Sequence, residues 1–318
     1  MRKKIRSIDD ISEIKRYIGL LSKKVSIEDV NHLTDHQYSR NSLLAMTKDW
    51  NLFVEFCTQK NVSPIPAATT ALRMFIEKES IERKYATIKR YLVTIGLFHR
   101  ILTSSDPSAH SSVKIALSKI RLDKVGDAKA TDAFEKKHLE QITRLLGHSD
   151  KARDIRNLAI YYIMYECLLK RSELRNLSLQ QLTYNNDCIK VAIGDNLYTL
   201  SPNACEHLSQ WINLRGLHGS TLFTAIDKHG NMNNEPLDDS SIYRILRSAS
   251  DKLGLDLKFS GQSLRVGAAK ELAKQGNKVS DIQHYGRWLS AAMPYYYIGN
   301  KAQADTERMV FKRFKPWD

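Results

Sequence analysis

The apolar positions of this chain recur mostly at helical spacing. Tyr85, Ile88, Leu92 and Ile95 step by three, four and three residues onto one helical face, with Lys84, Lys89 and Arg90 off that stripe. Leu43, Met46, Trp50, Phe53 and Val54 draw a second stripe, beside which lie Arg40, Asn41 and Lys48. A helix-rich stretch then runs to about Leu177. The pattern changes at Cys188–Ile193 and Leu197–Leu200, two short runs rich in β-branched and aromatic residues around Gly194-Asp195-Asn196, which reads as strand, turn, strand. Ser201 and Pro202 open a new helix as N-cap and first residue. Asp238 or Asp239 caps another, bearing Ser240, Ser241, Arg244 and Arg247. The remainder is expected to be helical, ending in a helix near 301–314.

Residues 121–133, RLDKVGDAKATDA, are polar and small, and mark a linker. The expected architecture is mainly α. A helical domain spans residues 1–128, roughly the first 30 of them loosely anchored, and an α+β domain with a small antiparallel sheet spans 129–318.

Composition adds a partner. The 318 residues include 49 Lys or Arg against 35 Asp or Glu, a net charge of +14, and nucleic acid is the commonest partner of so basic a soluble protein. Both halves share the charge, with +9 before Thr131 and +5 after it, so both are expected to touch DNA. No apolar run is long enough for a membrane span, and no apolar segment follows Met1-Arg2-Lys3-Lys4 to make a secretory signal. Cys57, Cys167, Cys188 and Cys205 are scattered, which argues against a metal site or disulfide framework and for a reduced compartment. Phosphate-loop, H-E-x-x-H and G-x-G-x-x-G motifs are all absent.

The chemistry-bearing residues lie in the second half. Leu168-Leu169-Lys170-Arg171-Ser172-Glu173-Leu174 comes first, then Gln262-Ser263-Leu264-Arg265, then Gly286-Arg287-Trp288, with Tyr297 nine residues beyond Trp288. In order and spacing this set resembles the tyrosine recombinases, and within them the Cre type from phage. The resemblance covers about residues 35–318, including Asp154–Ala159 and the Tyr85–Leu92 helix.

That resemblance implies an N-terminal core-binding domain and a catalytic domain that together form a C-shaped clamp on duplex DNA. It implies cleavage through a 3′-phosphotyrosyl bond that needs neither cofactor nor metal. Tyr297 matches the nucleophile and Arg265 the second of two phosphate-clamping arginines. Trp288 matches a hydrogen-bond donor to the phosphate, and Glu173 the acid that orients the first arginine. Three positions depart from the family pattern. Lys170 stands at the first arginine, Gln262 at the histidine, and Gly194-Asp195-Asn196 where the hairpin lysine belongs, with Lys190 several residues back. Arg171, one residue on, is expected to point about 100° away from Lys170 along a helix.

The expectation is a site-specific recombinase or integrase with an atypical active site. The alternative is a catalytically degenerate recombinase-fold DNA-binding protein acting as regulator, accessory or architectural factor. Arg40, Asn41, Lys84, Lys89, Arg90, Ser240, Arg244 and Arg247 are the candidate DNA contacts. The resemblance further implies an inverted-repeat DNA site, dimers or tetramers built on DNA through the 301–318 helix, and a prokaryotic cytoplasmic, nucleoid-associated location. A catalytically complete recombinase is a further candidate partner.

Overall fold

The computed structural model describes residues 5–103, 105–127, 129–185 and 188–313. Met1–Lys4, Ala128 of the expected linker and Phe314 of the tail lie outside the described residues. The chain is mainly helical with small antiparallel sheets, and divides into two compact units, Met1–Lys129 and Ala130–Asp318.

The first unit holds α1 (Ile11–Leu21), α2 (Ile27–Leu33), α3 (Arg40–Gln59), α4 (Thr69–Ser80), α5 (Tyr85–Leu102) and α6 (Ser111–Asp123). Both stripes read from the sequence face its core, where Trp50, Phe53, Ile88 and Ile95 are fully buried beside Phe75 and Phe98. Truncating one of these aromatics to Ala costs about 3–5 kcal/mol. The first thirty residues, expected to be loosely held, carry two helices. Asp10 caps α1, a Ser26–Asp29 capping box starts α2, and Trp50 Nε1 donates to the Leu21 carbonyl at 3.0 Å.

The expected linker begins late. Residues 121–123 complete α6, although Leu122 is exposed, because an exposed helical end needs no apolar period.

The second unit runs α7 (Lys136–Leu146), α8 (Ala152–Glu166), α9 (Arg171–Asn176), β1 (Leu182–Asn185), β2 (Cys188–Ile193), β3 (Asn196–Thr199) and α10 (Pro202–Arg215). It continues with β4 (Thr224–Ile226), β5 (Met232–Pro236), α11 (Asp239–Lys252), α12 (Ser263–Lys274), α13 (Val279–Tyr285), α14 (Ala292–Tyr297) and α15 (Lys301–Arg313). Helix α8 is buried along its whole second half, from Leu158 to Tyr165, which makes it the central helix against which α7, α10 and α12 pack. Strands β1, β2 and β3 form an antiparallel sheet in that order, with Val191 opposite Tyr198 and Ile193 opposite Asn196.

Two details correct the sequence reading. Asn196 is the first residue of β3 rather than part of the turn. The stretch after α10 is not wholly helical, since β4 and β5 make a second antiparallel pair. Strand β5 is exposed at all five positions, so it has no apolar alternation to reveal it.

Candidate active site

The site is assembled where the chain reverses after α8. Leu168 takes a positive φ of 47°, and Lys170 is the extended N-cap of α9, with ψ of 156°. That turn aims the Leu168 carbonyl at two guanidinium groups. Arg265 of α12 donates to it through Nη1, and Arg287, just past α13, donates through Nη2 at 3.1 Å.

Arg265 is 1% exposed, its second terminal nitrogen donates to the Gly286 carbonyl at 2.7 Å, and its guanidinium lies 4.4 Å from the Trp288 ring centre. Burial lowers its pKa to about 10, with the nearby Glu173 charge opposing the fall. Gly286 is obligatory here. A Cβ at that position would sit 1.9 Å from the Trp288 ring.

Tyr297, at the end of α14, is buried in edge contact with Trp288, ring centres 5.8 Å apart. Its hydroxyl donates to Gln262 Oε1 at 3.4 Å, a long bond. Burial raises the Tyr297 pKa above the ordinary tyrosine value, partly offset by the Arg265 charge. Gln262 is the residue before α12, so Gln262 and Arg265 open one helix as the motif requires.

Glu173 is engaged twice. Its carboxylate accepts the Lys170 backbone N–H at 2.8 Å and the Lys170 ammonium at 3.2 Å. It also holds Arg287 in a fork, at 2.8 Å to Nη2 and 3.3 Å to Nε. Burial disfavours the Glu173 charge, but these partners outweigh it and its pKa falls below the ordinary value. Burial likewise works against the Arg287 charge, yet the Glu173 bond and the Tyr198 contacts lift its pKa above that of an ordinary arginine.

Arg287 is the residue that sequence reasoning missed. It sits at φ of 55° and spends its nitrogens on Glu173, Leu168 O, Cys167 O, Tyr285 O and Tyr198 Oη. Nothing in periodicity marks it, and an arginine in a turn between Gly286 and Trp288 reads as solvent-facing.

Arg171 overturns a second expectation. The 100° rule holds only between helical residues, and Lys170 is extended, so Lys170 and Arg171 line one pocket of about 200 Å³ with Tyr243, Ser260, Gly261 and Gln262.

At the hairpin stands Asn196 rather than a lysine. Asn196 Nδ2 donates to the His284 carbonyl at 2.9 Å and to Tyr198 Oη at 3.1 Å. Lys190 lies on the strand face opposite the buried Ile189, Val191 and Ile193, among them the core-facing partner of Tyr198. Among the described residues, no three His, Cys, Asp or Glu side chains gather closely enough to hold a metal ion, and no helix is long and apolar enough to cross a membrane.

The candidate DNA contacts divide between the units. In the first, Arg40 and Asn41 open α3 and Lys84 caps α5, all exposed, as is Lys89. Arg90 is committed inward, forking onto buried Asp49 at 2.7 and 2.9 Å. Burial holds the Asp49 pKa up despite the pair, whereas half-exposed Arg90 gains more from pairing than it loses; the fork is the geometry of two charged groups. In the second unit, Asp238 caps α11, Ser240 and Arg244 are exposed, Arg244 bonds Ser241 Oγ at 2.8 Å, and Arg247 stacks on Tyr243 at 4.9 Å.

The chain is similar to known proteins along most of its length. The phage integrase family model matches residues 137–304. The recombinase Cre of Escherichia phage P1 is 25% identical over 304 residues, covering 86% of this chain and 87% of Cre. An integrase/recombinase XerD homolog of Selenomonas ruminantium is 24% identical over 277 residues, covering 81% of each chain. Among solved structures, the XerH recombinase in a post-cleavage complex with palindromic difH substrate superposes with a TM-score of 0.64 at 14% identity, covering 96% of this chain and 90% of that one.

Proposed function

Since the chain belongs to the phage integrase family, the tyrosine recombinases, we propose that it is a site-specific DNA recombinase whose nucleophile is Tyr297. The observation that carries this reading is the convergence of buried Tyr297 and Arg265, half-buried Trp288 and exposed Gln262 on one cluster. Tyr297 Oη attacks the scissile phosphorus and the 5′ oxygen leaves, so one phosphodiester is exchanged for a phosphotyrosyl ester of equal bond count. A second 5′ hydroxyl reverses the exchange, and no cofactor is consumed. Trp288 and Arg265 form the wall beside the nucleophile. Gln262 holds the Tyr297 hydroxyl by a hydrogen bond but cannot take its proton near neutral pH, and the hairpin offers no acid to the leaving oxygen. Those two absences make a slow enzyme.

A second reading has its own observation. Arg265 is fully buried with both terminal nitrogens on backbone carbonyls, as in a site kept for its fold while the protein only binds DNA.

DNA binding uses exposed Arg40, Asn41, Lys84, Lys89, Ser240 and Arg244 and half-buried Arg247 as contacts, with Arg90 as a support for the α5 face. The site is an inverted repeat. Helix α15 buries Ala304 on its own unit and leaves Met309 and Val310 exposed, and this apolar edge seats on a neighbouring protomer or on a catalytically complete recombinase.

The test compares wild type with Tyr297→Phe in cells. Protein–DNA adducts that survive SDS without cross-linker are isolated and sequenced, and a formaldehyde-treated sample maps binding independently. Adducts at one inverted repeat that vanish in the variant are the expected result. Formaldehyde enrichment at a discrete site, with no adduct, selects the second reading.

A further inference from the structure

The pocket lined by Lys170, Arg171 and Gln262 holds more cationic capacity than the motif suggests. Arg265 and Arg287 are turned into the protein, and Glu173 is already forked by Arg287. Arg171 is different. It is exposed, lines the pocket with Lys170 and Gln262, and has no ion-pair or hydrogen-bond partner among the described residues.

Its path is built into the backbone. A Cβ on residue 261 would lie 2.6 Å from Arg171 Cγ and 2.8 Å from Cδ, so the side chain runs flat across Gly261, one residue before Gln262. That course leaves little choice of direction to the stem and keeps Arg171 in the pocket lined by Gln262, whose Oε1 accepts the Tyr297 hydroxyl at 3.4 Å. The extended N-cap at Lys170 keeps two adjacent cations on one side, an arrangement two consecutive helical residues cannot make.

We infer that Arg171 is the second phosphate-binding arginine of this site, contacting the non-bridging oxygens of the phosphate that Tyr297 attacks, with Lys170 adding a point charge beside it. A planar fork suits two phosphate oxygens, and an exposed guanidinium pays little desolvation before the ligand arrives. The inference rests on the recombinase reading for the identity of its ligand, but it is tested by binding as well as by cleavage.

The duplex is the one recovered by formaldehyde mapping, resynthesised with a neutral methylphosphonate at one position at a time. Wild type is expected to lose about tenfold or more in affinity when the phosphate facing Arg171 is neutralised. Arg171→Ala is expected to be weaker on the natural duplex and indifferent to that one substitution, and its salt slope to fall by about 0.9. Where adducts form, they must map to the same phosphate, and Arg171→Ala is expected to slow their formation by about 10²–10³-fold, with Arg171→Lys restoring little. Gly261→Ala displaces the side chain without removing its charge. It is expected to mimic Arg171→Ala and to add nothing in the double variant.

A methylphosphonate pattern identical in wild type and Arg171→Ala overturns the inference, whatever Tyr297 does. Loss of all adducts with the Arg171-dependent position retained overturns the cleavage chemistry and leaves the phosphate contact standing. A wild type that holds no duplex overturns both.

Discussion

Arg287 shows how one side chain can decide the stability of a site without touching its ligand. It and Glu173 are mostly enclosed, with side-chain exposures of 14% and 20%, so removing Arg287 leaves Glu173 with the Lys170 contacts alone. Arg287→Ala is expected to cost roughly 3–5 kcal/mol in denaturant unfolding of the full chain. The backbone at φ of 55° suits glycine, so Arg287→Gly should cost about 1 kcal/mol less than Arg287→Ala, although both lose the same ion pair. Equal losses for the two would show that the conformation contributes nothing. Tyr297, Arg265 and Trp288 were legible because each sits at a fixed interval in an ordered motif. Arg287 was not, because its partners are 114 and 119 residues away and sequence spacing is silent about such contacts.

At the scale of elements, legibility follows burial. The long stripes of α3 and α5 showed in the sequence because each buries one face, while β4 and β5 did not because short exposed strands carry no period. Helix α5 also carries a pH-sensitive latch. His99 Nε2 accepts the Ala67 backbone N–H at 3.0 Å, which leaves Nδ1 to donate to the Ile95 carbonyl at 2.8 Å and fixes the neutral ring. Burial lowers the His99 pKa below 6.5. The unfolded chain therefore takes up a proton that the folded ring resists. The latch contributes fully above pH 6.5 and is lost progressively as the pH falls below that value toward the folded pKa. Hydrogen exchange at the Ala67 amide is expected to accelerate between pH 7 and pH 5 beyond the intrinsic trend, and to lose that excess in His99→Gln.

The whole molecule is basic in both units, which composition alone made plain, and the proposed assembly turns on apolar surface at its last described helix. Met309 is 65% and Val310 49% exposed, adjacent to each other on α15. Replacing both with Ser is expected to leave binding to a single half-site unchanged. On a two-repeat duplex, singly occupied complexes should accumulate in gel-shift titrations. Unaltered cooperativity would place the neighbour contact elsewhere. Composition and a linker-like stretch pointed to two bodies, but the helices of the first thirty residues and the end of α6 came only from long-range packing and helix continuation, which no local pattern encodes.

The Leu168 carbonyl, which receives Arg265 across 97 residues and Arg287 across 119, has a consequence for how the protein is made. Lys170, Arg171 and Glu173 emerge from the ribosome well before Gln262, Arg265 and Tyr297, and neither group has a pocket until the other arrives. A chain that has grown only as far as Glu173 carries the cations without Gln262, Arg265 and Tyr297. Completion of synthesis thus sets the moment at which the cluster can first form.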